Sequence, residues 1–284
     1  MKVLVTGAGG MLAQAVVPAL GAAGHAVTAL TRAELDVTRG DDVRRAVRDA
    51  RPDWVCHLAA YTDVDGCERE TERAFLVNGL GARNAAVAAA ETDAAVLAIS
   101  SDYVFPGDDP TPRRESDAVG PGSVYGRSKL AGELGVREVN PRHTLVRTAW
   151  LYGRGGKNFV DTIRARALAG GPLRVVDDQH GSPTWTEDLA VALVALMEKR
   201  EFGTLHATNA GECTWHELAC EVCERTGADV GVARMSSAEL ARPAARPTYS
   251  VLHTGWLEHV LGRRLPHWRD ALTRYLAQAV AAQV

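Results

Sequence analysis

Near its start the chain runs Val3-Leu4-Val5-Thr6 directly into Gly7-Ala8-Gly9-Gly10, and a helical pattern follows from residue 11 to about 24. A β-branched apolar run ended by glycines and then by a helix restricts the fold strongly. Glycine permits the tight turn and lets the backbone approach a bound pyrophosphate, whose charge is met by the helix N-terminus. The spacing is G-x-x-G-x-x-A, and the small Ala13 still allows close helix–strand packing. Residues 26–31 and 54–58 read as further strands, 41–50 and 77–90 as helices, and 95–100 as another buried strand. Strands alternating with helices of this length indicate βαβ crossovers and a parallel sheet. Proline and glycine thicken from 106 to 122, the mark of a long surface loop.

Beyond Leu145 the alternation loosens. Residues 173–176 suit a strand, and 187–199, 215–226 and 268–280 suit helices. The expected fold class is α/β: a Rossmann-type doubly wound parallel sheet with a smaller, mixed α/β C-terminal domain. The boundaries expected are 1–149 for the dinucleotide-binding domain, with a returning segment at about 177–203. Residues 150–176 and 204–284 form the second domain.

Composition removes other classes. With 32 Lys and Arg against 35 Asp and Glu among 284 residues, the formal charge is -3. No basic field exists to hold nucleic acid or an anionic membrane. No apolar run approaches the ~18 to 20 residues of a membrane helix. A strand pattern from Lys2, without a charged leader and apolar plug, gives no expectation of a secretory signal. Five cysteines, an odd number, fit a reducing cytosol better than a disulfide scaffold, so a cytoplasmic location is expected.

Two segments carry chemistry. Tyr125 and Lys129 stand four apart at the start of a helix expected over 128–136, hence on one face. A free phenol titrates near ~10. A neighbouring ammonium stabilises phenolate and is expected to lower that value toward the working pH. Ser100-Ser101-Asp102-Tyr103 follows a buried strand, at the end where α/β sheets place ligands. The second strand ends Leu30-Thr31-Arg32; a cation there suits a 2′-phosphate, so NADPH is favoured and NADH is the alternative.

Other patterns read as structure. Cys213, His216, Cys220 and Cys223 form one stripe whose ends would lie roughly 15 Å apart on a helix, too far for one tetrahedral ion. No metal site is expected from them, nor from Asp177-Asp178, taken as polar loop. Residues 189–197 present an ordinary core face. Trp215, Trp256 and Trp268 are expected to pack the smaller domain, with Trp150 between the two halves.

The glycine loop, the Ser101 segment and the Tyr125/Lys129 pair resemble the extended short-chain dehydrogenase/reductases, and within them the dTDP-4-dehydrorhamnose reductase family. The resemblance runs nearly end to end. It includes Glu34-Leu35-Asp36-Val37-Thr38, Leu58-Ala59-Ala60-Tyr61-Thr62-Asp63-Val64-Asp65 and Val77-Asn78. It continues through Arg147-Thr148-Ala149-Trp150-Leu151-Tyr152-Gly153, Asp178-Gln179-His180-Gly181-Ser182-Pro183-Thr184, Arg246-Pro247 and Leu265-Pro266-His267-Trp268.

The resemblance implies NADPH-dependent reduction of the C4 ketone of a dTDP-4-keto-6-deoxyhexose, foremost dTDP-4-dehydro-L-rhamnose. Tyr125 would donate the proton, Lys129 would hold the nicotinamide ribose and acidify Tyr125, and Ser101 would hydrogen-bond the carbonyl. Gly7, Gly10, Met11 and Leu12 would line the pyrophosphate, Asp36 and Val37 the adenine, and Ala59, Ala60 and Thr62 the ribose side. Val64, Ser101, Asp102, Tyr103 and Trp150 would face the sugar in the substrate domain. Some members form a metal-bridged dimer through a glutamate in the first helix; Ala15 stands there, so neither that metal nor that dimer is expected, and a monomer or weak homodimer is. Tyr103 after Asp102 departs from the Asp-Glu pair of related dehydratases. A 4-ketoreductase making another dTDP-deoxysugar and a non-catalytic NADP-binding regulatory subunit are the alternatives.

Overall fold

The computed structural model describes residues 1–281. Its first half runs β1 (Lys2–Thr6), α1 (Ala13–Ala22), β2 (Ala26–Leu30), α2 (Gly40–Ala50), β3 (Trp54–His57), α3 (Val64–Arg69) and α4 (Thr71–Ala74). A π-helical turn, Phe75–Leu80, leads into α5 (Gly81–Glu91), then β4 (Ala95–Ser101), α6 (Val124–Val139) and β5 (His143–Thr148). The remainder contains β6 (Leu151–Tyr152), α7 (Phe159–Leu168), β7 (Leu173–Val176), β8 (His180–Gly181), β9 (Thr184–Trp185), α8 (Thr186–Lys199) and β10 (Gly203–His206). Last come β11 (Cys213–Thr214), α9 (Trp215–Thr226), β12 (Val232–Met235), α10 (Ser237–Leu240), α11 (Gly255–Leu261) and α12 (Trp268–Ala281).

Six strands form one parallel sheet in the order β10-β5-β4-β3-β1-β2. The interior strands are buried on both faces, which is why β3 and β4 read as nearly continuous apolar runs. On one face Val16 and Leu20 of α1 pack with Leu189, Leu193, Leu196 and Met197 of α8. On the other, Val43 and Val47 of α2 meet Ala85, Ala86 and Ala89 of α5 and Val136 of α6. The chain leaves β1 toward β2 on one side and continues through β3 on the other, so the carboxyl ends of β1 and β3 border the crevice that doubly wound sheets offer to ligands.

Beneath that crevice lies a buried ion pair. Arg147 of β5 grips Glu133 of α6 with Nε to Oε1 and Nη2 to Oε2, both at 2.7 Å, and each residue is 1% exposed. Arg137 adds a bond of 3.1 Å to the same carboxylate.

The second lobe has its own core, in which Ile163, Leu218, Val222, Trp268, Leu272 and Tyr275 are buried together. A strap over residues 242–253 joins the lobes. Arg246 meets Asp65 of α3 with two bonds of 3.0 and 3.1 Å, and Arg242 adds one of 3.0 Å. The amides of Thr248 and Tyr249 both donate to the Gly107 carbonyl, and Ser250 donates its amide to His180 O at 2.8 Å.

Several expectations are corrected. Strand β10 pairs with β5, so the chain's return to the main sheet extends to His206, into a stretch expected in the second domain. Helix α11 packs on β10 and α8, with Leu257 in the first lobe's core, although 204–284 was expected to belong elsewhere. Trp256 therefore does not pack the smaller domain; it is 53% exposed and donates to Glu201 at 3.1 Å. The helix expected over 128–136 begins four residues earlier because Ser123 caps it, accepting from Gly126 N at 3.1 Å.

Removing one partner of a buried pair leaves an uncompensated charge. Arg147→Ala is expected to lower stability by about 3–5 kcal/mol, read as a shift of the urea midpoint. An Arg147→Met/Glu133→Leu double variant should recover most of that loss.

Candidate active site

The turn after β1 fits closely against the turn after β3. Gly7 adopts φ +72°, and a Cβ there would stand 2.6 Å from the Ala59 backbone. Gly10 N donates to Gly7 O at 2.9 Å, closing the loop before α1. Helix α1 begins without a side-chain cap and without an acidic residue in its first turn, so its N-terminal dipole faces the crevice uncompensated.

An outer cavity of about 800 Å³ opens here. Gly7, Gly10, Arg32, Asp36, Val37, Ala59 and Ala60 all line it. Asp36 is turned to local work, accepting from Thr38 N at 3.0 Å and Thr38 Oγ1 at 2.8 Å. Those two bonds hold its carboxyl below the usual range, with help from the charge of Arg32. The Arg32 guanidinium makes no hydrogen bond or ion pair among the described residues and stays available to an anion.

An inner cavity of about 460 Å³ continues from the outer one, sharing Gly10, Ala59 and Ala60. Met11, Leu12, Thr62, Val64, Ser101, Asp102, Tyr103, Tyr125, Lys129 and Trp150 line it. The residues named above for the dinucleotide, the sugar and the proton transfer thus line one or other of two adjoining cavities.

The contacts that set this arrangement were not all foreseen. A Cβ on Gly126 would fall 2.2 Å from Tyr103 O, so only glycine lets the first turn of α6 press against the turn after β4. The Tyr103 and Tyr125 rings then meet edge to face at 5.5 Å. Asn78, quoted only within a motif, ties three elements together. It donates to Ser128 Oγ at 2.9 Å and to Tyr61 O at 3.0 Å, and accepts from Tyr61 N at 2.8 Å. Trp215, expected merely to pack the smaller domain, stacks on Trp150 at 3.5 Å and 5° and walls the inner cavity with Phe159. Trp150 has φ +47°, and its indole lies where a Gly181 side chain would be.

Electrostatics correct one expectation. Burial pushes the Tyr125 phenol above its ordinary value, and the Ser101 hydroxyl opposes this. With burial the largest influence on it, the phenol is protonated at neutral pH. Lys129 itself is brought down to about 8 by burial, with Glu133 working the other way. His57, bonded to Thr6 Oγ1 at 2.9 Å, is lowered to about 3 by burial and then by Lys129, so it is neutral. Asp102 is raised to about 6, chiefly by burial.

Comparison with known proteins places this cleft. Residues 1–281 match the family described as the RmlD substrate binding domain. The chain belongs to this family. It is 48% identical over 277 residues to a dTDP-4-dehydrorhamnose reductase of Streptomyces griseus, covering 95% of this chain and 91% of the relative. It is 43% identical to a probable dTDP-4,6-dihydroxy-2-methyloxan-3-one 4-ketoreductase of Streptomyces antibioticus, covering 100% of this chain and 97% of the relative. A solved dTDP-4-dehydrorhamnose reductase of Bacillus anthracis, in complex with NADP, superposes with a TM-score of 0.94 at 36% identity, covering 98% and 99% of the two chains. Membership carries the NAD(P)H-dependent oxidoreductase class with it, as the sequence implied. Among the described residues no helix is long and apolar enough to cross a membrane.

Gly126→Ala must push α6 away from Tyr103. We expect a loss of about 1–3 kcal/mol in thermal stability, and, because a small displacement of reacting groups is costly, a drop in turnover of about a hundredfold.

Proposed function

We propose that this chain reduces the C4 ketone of a dTDP-4-keto-6-deoxyhexose with NADPH, and that dTDP-4-dehydro-L-rhamnose is its substrate. The observation that carries the reading is the continuity of the two cavities. The glycine loop and Arg32 line one end, and Ser101, Tyr125 and Lys129 line the other.

The residues present fit the dinucleotide. The uncapped start of α1, with Gly7, Gly10, Met11 and Leu12, suits a pyrophosphate. The unpaired guanidinium of Arg32 suits a 2′-phosphate, Asp36 and Val37 border the adenine, and Ala59, Ala60 and Thr62 the ribose side. When bound, NADPH supplies the hydride for C4. Tyr125, protonated at neutral pH, gives its phenolic proton to the C4 oxygen. Lys129 holds the nicotinamide ribose and stabilises the phenolate left behind. Ser101 hydrogen-bonds the C4 oxygen, while Val64, Asp102, Tyr103 and Trp150 border the sugar. The similarly close Streptomyces antibioticus relative, a probable 4-ketoreductase of another sugar, supports a second reading in which only the sugar differs. NMR of the product at C4 separates the two.

Loss of nicotinamide absorbance with NADPH and the keto sugar tests the activity. Tyr125→Phe should lower turnover by about 10²–10⁴-fold, with NADPH affinity held within a few fold; retained turnover removes Tyr125 as the proton donor.

Arg32→Asp replaces the cation facing the 2′-phosphate with a like charge. We expect NADPH affinity to fall about tenfold or more while NADH affinity holds; an unchanged ratio removes Arg32 from cofactor choice.

A further inference from the structure

We propose that Asp102 is a positioning residue that sets the direction in which Ser101 can donate its one hydroxyl proton, and so decides when Ser101 supports the C4 oxygen. The inference rests on the reading of the cleft given above.

The hydrogen bonds of Ser101 leave little freedom. Its Oγ accepts from Tyr103 N at 3.2 Å and donates to Asp102 Oδ1 at 2.7 Å. A serine hydroxyl has one proton and two lone pairs. With that proton on Asp102, Ser101 offers the cleft only a lone pair. It can then accept from the Tyr125 phenol but cannot donate to a ketone oxygen. A neutral Asp102 reverses the bond: the carboxyl proton goes to Ser101 Oγ, both lone pairs are filled, and the serine proton is free for C4 oxygen. Two donors, Ser101 and Tyr125, then converge on that atom. In the transfer itself C4 gains hydride and its oxygen gains the Tyr125 proton, while Asp102 keeps its own.

Burial of Asp102 favours the neutral form, while hydrogen bonds from Ser101, Ser250 and the backbone at residues 102 and 103 work the other way. The residue is 2% exposed, and its Oδ2 is buried without a hydrogen-bond partner. Ser250 of the strap stands beside the carboxyl, but directs its hydroxyl to His180 O at 3.2 Å. An ionised carboxylate with one oxygen so placed is costly, and its titration moves up to about 6. The titratable groups around it are Tyr103 on its own turn and Tyr125 and Lys129 on α6. Neutral His57 lies on the same cavity, and Arg246 and Asp65 act across Tyr103.

The test compares kcat and KM of Ser101→Ala with those of the parent, below and above the Asp102 titration near pH 6, in the native and Asp102→Asn backgrounds. In the native background the Ser101→Ala loss in kcat should be about a hundredfold at the acid end and shrink severalfold as pH rises. An amide does not titrate, so in Asp102→Asn the loss should be flat with pH. A loss equally large on both sides of the titration in the native background overturns the proposal. A second arm needs no substrate. In protein carrying ¹³C-labelled aspartate, Ser101→Ala should move the Asp102 carboxyl midpoint upward, because the carboxylate loses its donor; an unmoved midpoint overturns the proposal. Native protein that binds NADPH yet reduces no dTDP-keto sugar defeats the functional reading instead, and the ¹³C arm still decides this one.

Discussion

The buried pair of Glu133 and Arg147 is the constraint from which the rest of the site follows. Burial works to raise the Glu133 carboxyl, and the Arg147 hydrogen bonds and charge more than reverse it. Two charges taken out of water are retained only where geometry is good, and here two bonds of 2.7 Å join planar groups side by side. The pair fixes α6 to β5. Helix α6 carries Lys129 one turn before Glu133 and Tyr125 one turn earlier still, while β5 leads within three residues to Trp150. Moving this contact would move both walls of the inner cavity together.

The sheet supplies the second requirement. A parallel arrangement brings all strand ends of one polarity to one edge, so turns distant in sequence become neighbours. Gly7 against Ala59 and Gly126 against Tyr103 show how close the neighbours come. Both glycines serve packing between turns. The same edge gathers groups whose titrations burial shifts from those in water: an imidazole and an ammonium brought down, a phenol and a carboxyl pushed up.

Much of this was legible in the residues. The strands of the first half, the glycine loop and the i, i+4 spacing of Tyr125 and Lys129 depend on local order, and local order is what a sequence displays. Strand β10 was not legible, because four residues Gly203–His206 have no periodicity of their own and become a strand only by pairing with β5. Helix α11 and the exposed Trp256 follow from that same return of the chain. Trp215 does pack against the second lobe's core as expected, but its stacking on Trp150 joins residues far apart in the chain and has no local sign. Both Tyr125 and Lys129 line the inner cavity, but the acidity of the phenol is governed chiefly by desolvation, which depends on everything that closes over it. Asn78 and Gly126 could have been found from their places near the motifs, though the contacts they make are long-range.

The returns of the chain to the main sheet at β10 and α11 have a wider consequence. Neither lobe is one continuous stretch of polypeptide, and the lobes are linked again by the strap at Arg246 and Asp65. Exchanging the sugar-facing half for that of another family member would demand several simultaneous junctions, each inside a packed core. Single substitutions in the inner cavity's wall, at Phe159 or Trp215, would reshape the cavity and leave that shared scaffold intact.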